Sequence, residues 1–231
     1  MLNLRCAIGA MALAACAFLA AGSAHAFPVT GSSSGGFSSI TSCEGVCNIS
    51  PDGKVLTWGN IGSLTPGSTL ASVNRSWNVL ADGDDVVLAE LVWNNVPTAP
   101  FFTPTLFNAV FNLDFTFTAP NATGDSQGFD LSILNVPFVG DIMSGLSMSD
   151  LSGLHFSLDG ITVSDLKFQL ATGPGTFIDN IWYNPEAAIS RMYISADFTR
   201  VVAAEVPEPA SLTLFGAGLF GLAMLRRRMP K

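Results

Sequence analysis

Histidine is all but missing from this chain: of 231 residues, only His25 and His155 carry an imidazole. That count excludes a zinc centre built from several histidines, and a Ser-His-Asp triad in the body would have His155 alone to draw on. No Gly-x-Ser-x-Gly elbow accompanies it, and within Leu154-His155-Phe156-Ser157-Leu158 it falls where the polar face of a strand would lie. Basic residues are nearly as scarce. Residues 27–206 contain five (Lys54, Arg75, Lys167, Arg191, Arg200) against 17 acidic ones, a formal charge of −12 that the whole-chain value of −8 understates. So acidic a segment is repelled by nucleic-acid phosphates and anionic lipid heads, which argues against both as partners. Helical periodicity is thin as well. Only Asp141 to Leu151 and Glu186 to Arg191 offer a turn or two.

What is present at the two ends reads as addressing. Arg5 supplies a positive start, Cys6 to Ala21 an alanine-rich apolar stretch, and Ala24-His25-Ala26 the small-x-small pattern after which signal peptidase cuts. Residues 1–26 are therefore a predicted signal peptide, helical in the membrane, with Phe27 the first mature residue. Two other readings stay open: a retained N-terminal membrane helix, and a lipoprotein box at Leu13-Ala14-Ala15-Cys16 with Cys16 acylated. Under each of them the body leaves the cytoplasm.

At the other end, Pro207-Glu208-Pro209 precedes an apolar run from Ser211 to Leu225, followed by Arg226-Arg227-Arg228 and Lys231. As a helix, 15 residues reach about 22 Å, short of the roughly 30 Å hydrocarbon core, so the run predicts a short hydrophobic helix that holds the inner membrane transiently. The arginines act as a cytoplasmic stop under the positive-inside rule. The two prolines cannot join a helix, so the triplet stands extended and accessible outside the bilayer. The plainer alternative is a tail anchor with a proline-rich neck. The order of these parts over residues 206–231 resembles the PEP-CTERM sorting tail. That resemblance implies an exosortase as processing partner, a Gram-negative envelope, and an association with exopolysaccharide or biofilm.

Between the ends, residues 27–205 suit one domain with a sizeable core. Phe107, Ala109, Phe111, Leu113, Phe115 and Phe117 alternate with Asn108, Val110, Asn112, Asp114, Thr116 and Thr118, which predicts a strand with one face buried and one wet. Met192, Ile194, Ala196 and Phe198 repeat the pattern. Shorter strands are expected at Lys54 to Trp58, Val86 to Trp93, Phe129 to Leu134, Leu154 to Leu158 and Phe177 to Trp182. Between Ile161 and Leu170 the apolar parity changes, which calls for a β-bulge near Ser164-Asp165. Asp159-Gly160 predicts a tight hairpin, and the serines and glycines of Thr30 to Ser42 read as a flexible lead-in. The expected fold is all-β, a single antiparallel β-sandwich of jelly-roll type, with a closed barrel as competitor. The segments Gly53-Lys54-Val55-Leu56-Thr57-Trp58-Gly59, Leu88 to Asn94, Phe115 to Thr118 and Asn121-Ala122-Thr123-Gly124-Asp125 are similar to the choice-of-anchor K domains of bacterial surface proteins. That resemblance spans Ser38 to Asn135 and implies no activity.

Chemistry is hard to place on this body. Cys43 and Cys47 survive processing and, in an oxidising compartment, predict a small-loop disulfide, with unpaired thiols the alternative. Glu90 interrupts the apolar run Val86 to Trp93 and is the one carboxylate suited to a glycosidase acid, since burial would raise its pKa. No paired glutamate motif accompanies it. Asp82, Asp84 and Asp85 gather three carboxylates around Gly83, a turn that calcium, with its preference for hard oxygen ligands, would suit. Trp77, Trp93, Trp182 and Tyr183 would serve a glycan if exposed. The sequence thus predicts an exported, non-enzymatic surface or extracellular-matrix protein processed by an exosortase. The alternatives are a glycan-active hydrolase and a calcium-dependent glycan-binding adhesin on the same scaffold.

Overall fold

The structure, a computed structural model, describes residues 28–43, 46–60, 66–97, 104–201 and Gly216. The signal-peptide residues Ala24, Ala26 and Phe27, the triplet Pro207, Glu208 and Pro209, and the arginines Arg226 to Arg228 lie outside these residues. Thirteen strands and one short helix make up the described part: β1 (Pro28–Thr41), β2 (Val46–Ile49), β3 (Val55–Asn60), β4 (Ser68–Val73), β5 (Arg75–Leu80), β6 (Gly83–Asn95), β7 (Thr105–Ala119), β8 (Thr123–Asn135), β9 (Gly140–Ser144), α1 (Met148–Leu151), β10 (Ile161–Thr172), β11 (Thr176–Ile178), β12 (Ile181–Pro185) and β13 (Ala188–Arg200). They form two antiparallel sheets packed as a sandwich. One sheet has the order β11-β12-β9-β8-β7-β1-β5, the other β10-β13-β6-β4-β3-β2. Among the described residues no strand of one sheet pairs with a strand of the other, so the two do not close into the competing barrel.

Alternation sets the faces. The odd residues of β7 from Phe107 to Phe117 point inward with Phe129, Leu131 and Ile133 of β8, and meet Leu56, Trp58, Leu70, Trp93, Met192, Ile194 and Phe198 of the other sheet. Aromatic rings run through this layer: Phe37 to Phe111 (5.3 Å between centroids), Phe111 to Phe129 (5.9 Å), Phe129 to Phe168 (5.7 Å) and Phe117 to Phe198 (6.0 Å).

Several local expectations are corrected. Thr30 to Ser42 is no lead-in: it belongs to β1, paired on one side with β5 and on the other with β7. Its glycines are packing residues. A Cβ on Gly31 would lie 2.5 Å from Cζ2 of Trp77, and one on Gly35 2.9 Å from the Phe111 ring. Phe177 to Trp182 is a hairpin rather than one strand, turned at Asp179 and Asn180, both with positive φ. Leu154 to Leu158 is not a strand, although Leu158 bridges Ile161 around the tight Asp159-Gly160 turn. Of the proposed helical stretches only Met148–Leu151 is helix. Asp141 to Ser144 belongs to β9, and Glu186-Ala187 is the turn into β13. The bulge in β10 is where parity placed it: the register with β13 jumps between Ser164 and Lys167, with Asp165 at φ 50°. Among the described residues no helix is long and apolar enough to cross a membrane, and the 211–225 run lies outside them except for Gly216.

Candidate functional site

The C-terminal tail leaves the sandwich from the end of β13. Arg200 pairs there with Ile161, the Arg200 amide donates to Asp82 Oδ1 (2.9 Å), and the Val201 amide donates to the Gly160 carbonyl (2.9 Å). Pro28, opening β1, pairs with Leu80 two residues before Asp82, so the start of β1 and the end of β13 lie at one pole. Five residues separate Val201 from Pro207, so chain length limits the PEP triplet to at most about 20 Å from Val201.

Asp82, Asp84 and Asp85 do not converge on a common point at this pole. Asp82 faces Arg200, 4.0 Å away, Asp84 is exposed, and Asp85 joins Asp165 and Asp197 instead, one carboxylate oxygen from each lying within 4.8 Å of the others. The β10 bulge carries Asp165 into this group, and Asp197 Oδ1 accepts the Asp85 amide (2.7 Å). Lys167 Nζ already bridges two of the three, at 2.5 Å from Asp165 and 2.8 Å from Asp85, and these contacts hold its pKa well above the ordinary lysine value. One ammonium thus offsets part of the charge of three carboxylates from within the chain. The sequence did not pair Asp85 with Asp165 and Asp197 because about 80 and 112 residues separate them.

Nearby, a groove of about 470 Å³ opens between residues 151–156 and the β10 stretch Val163 to Leu166. His155 lines it, its backbone amide donating to Asp125 Oδ2 (2.8 Å), a bond that leads the contacts holding the Asp125 carboxyl below its usual pKa. Among the described residues the imidazole makes no hydrogen bond to a serine or a carboxylate.

Glu90 is buried, at 2% exposure, but it is not a lone acid. A bulge in β6 at Leu88 sends Leu88 into the core and leaves Glu90 on the outer face of its sheet, opposite Val73 and Tyr193. Arg75 contacts one carboxylate oxygen and Arg191 the other, the latter at 2.5 Å, while Arg75 also lies 5.8 Å from the Tyr193 ring centre. Two guanidinium groups fixing both oxygens make an ion triad that seals this face.

The cluster that sequence reasoning missed is at the opposite pole. Asp141, on β9, is fully buried; Oδ2 accepts the Trp58 indole N–H (2.9 Å) from the other sheet, and Oδ1 accepts the Val136 amide (3.0 Å). Burial pushes its pKa up to about 7 against the pull of those two bonds, and Glu186 adds a smaller push in the same direction. Beside it, Ser68 Oγ donates to Asn95 Oδ1 (2.9 Å), Asn95 Nδ2 to the Asn184 carbonyl (2.8 Å), and Asn184 Nδ2 to the Trp93 carbonyl (3.1 Å). Trp93 packs edge-on against Trp182 (5.1 Å) and Trp58 (6.0 Å). The available signal was parity: Asp141 and Met143 share the inward face of Gly140–Ser144. Trp77, Trp93 and Trp182 are all core residues, and Tyr183 is half-buried, so no tryptophan platform for sugars exists among the described residues. Cys43 and Cys47 are joined as a disulfide, Cα atoms 6.3 Å apart.

Residues 205–228 match the family model for the PEP-CTERM protein-sorting motif. The match implies export, surface sorting in bacteria and processing by an exosortase. No curated protein matches the chain. The likeness of the body to choice-of-anchor K domains rests on its sequence motifs alone.

Proposed function

We propose that this is an exported surface or extracellular-matrix protein that acts by presenting its sandwich rather than by turnover, in a Gram-negative envelope and in association with exopolysaccharide or biofilm. The observation that carries this reading is the sorting motif at residues 205–228, placed a short stretch beyond the last strand of a self-contained fold. A role without turnover is supported by the fate of the candidate acid: Glu90 is committed to two arginines.

Deleting Pro207 to Lys231 tests the reading. The truncated chain is expected to lose its normal processing and final location in cell fractionation while keeping the body's melting temperature within about 2 °C, because both sheets and the core between them are built from residues 28–200. Unchanged processing and location would overturn it. The hydrolase alternative predicts shortened chains when the protein is incubated with the producer's own polysaccharide, lost again in Glu90→Gln. The adhesin alternative requires a cation to displace Lys167 from Asp85 and Asp165; a melting temperature that falls on chelation would favour it.

A further inference from the structure

The outer face of the seven-stranded sheet is mostly hydroxyl and amide, with Ser32, Ser34, Asn112, Thr116 and Ser126 exposed along its middle. At the pole away from the tail its character changes. Leu106 of β7, Leu134 of β8, Ile142 of β9 and Tyr183 of β12 stand in one registered row across four strands. Ile181 and Ile178 follow in the next row, paired with each other across the β12–β11 hairpin. The Tyr183 hydroxyl donates to the Val139 carbonyl (2.8 Å), which fixes the Phe138-Val139 turn at the rim of the same ledge. Exposure here is high for apolar side chains: Leu106 57%, Phe138 69%, Val139 61%, Ile178 65% and Ile181 45%. Phe138 holds a φ of 68°, a conformation a bulky side chain rarely adopts.

We infer that this ledge is a two-fold interface through which two copies of the chain pair. Area is the first argument: at roughly 200 Å² per large side chain, these exposures leave on the order of 600 Å² of apolar surface per copy. Doubled across an isologous contact this is roughly 1,200 Å², the lower edge of what a specific dimer buries. Charge selects the same surface. Bodies of formal charge −12 repel one another, which favours pairing through a face without exposed carboxylates. Along the two apolar rows no exposed position is charged, and Asp179 stands at the margin in the hairpin turn. An anionic bilayer is disfavoured by the same net charge. Placement is distinct: β13 spans 13 residues, about 40 Å, so the ledge lies at the far end of the body from Val201.

The test uses the protein as the producing cell leaves it, purified and measured by size-exclusion chromatography with light scattering from 1 to 100 µM. A monomer–dimer equilibrium is expected, with the dissociation constant raised at least tenfold in Ile181→Asp and in Phe138→Ser, while Leu80→Asp, which charges an exposed apolar site outside the ledge, leaves it unchanged. Far-UV circular dichroism and melting establish that each variant is folded, and Phe138→Ser, in a turn, serves if Ile181→Asp is not. A wild-type protein that stays monomeric at 100 µM overturns the inference, as does a dimer indifferent to both ledge substitutions. A monomer that instead floats with neutral phosphatidylcholine vesicles in an Ile181-dependent way assigns the ledge to lipid and overturns it equally.

Discussion

Asp141 shows how much one side chain's environment decides. Its carboxyl holds its proton to about pH 7 in the folded chain, against 3.8 ordinarily. Between those values the native state binds a proton that the unfolded state has released, so stability falls as pH rises and is greatest on the acid side. The full span corresponds to on the order of 4 kcal/mol. The expected result is a melting temperature that declines from pH 5 to about pH 7 and levels off above it, a slope that Asp141→Asn removes. The variant should also start lower at pH 5, by about 1–3 kcal/mol, because the Trp58 indole and the Val136 amide reach different oxygens and asparagine replaces one of them with an NH2 that cannot accept. Glu90 is the contrasting case. Its burial was legible from its place in an apolar run, but its two arginine partners were not, since Arg75 and Arg191 lie 15 and 101 residues away. Glu90→Gln removes the charge both guanidinium groups share and should cost about 1–3 kcal/mol in urea unfolding, less than a fully buried pair because both arginines reach solvent.

At the scale of elements, strands whose side chains alternate cleanly were readable, and strands defined by their neighbours were not. β7 and β13 could be placed from parity alone, and the β10 bulge from a single change of phase. β1 could not, because Gly31, Ser33 and Gly35 face the core and carry no hydrophobic signature. They are small because large rings occupy the space above them. Gly35→Ala should therefore destabilise by about 1–3 kcal/mol, read from thermal or urea unfolding, since the added methyl meets both the Phe111 ring and the Ser72 hydroxyl. A stabilised Gly35→Ala would show that β1 is not packed as described. The split of Phe177 to Trp182 into two strands has a similar origin: the run is apolar throughout, and only the positive φ angles at Asp179 and Asn180 reveal the turn.

For the whole molecule, the start of β1 and the end of β13 share one pole, which gives the sandwich a direction, with Pro28 and Val201 at one end and the apolar ledge at the other. Sequence by itself determined the all-β sandwich, because period-two alternation requires each sheet to bury one face against another. It also determined the sorting tail, whose parts are contiguous and are read by machinery that needs no fold. Only the tertiary structure decided which carboxylates meet, that every described tryptophan is core, and that exposed apolar side chains from β7, β9, β11 and β12 form one surface. The physical reason is common to all three. Such groupings depend on strand order and register across the sheets, and residues brought together from distant parts of the chain leave no local pattern in it.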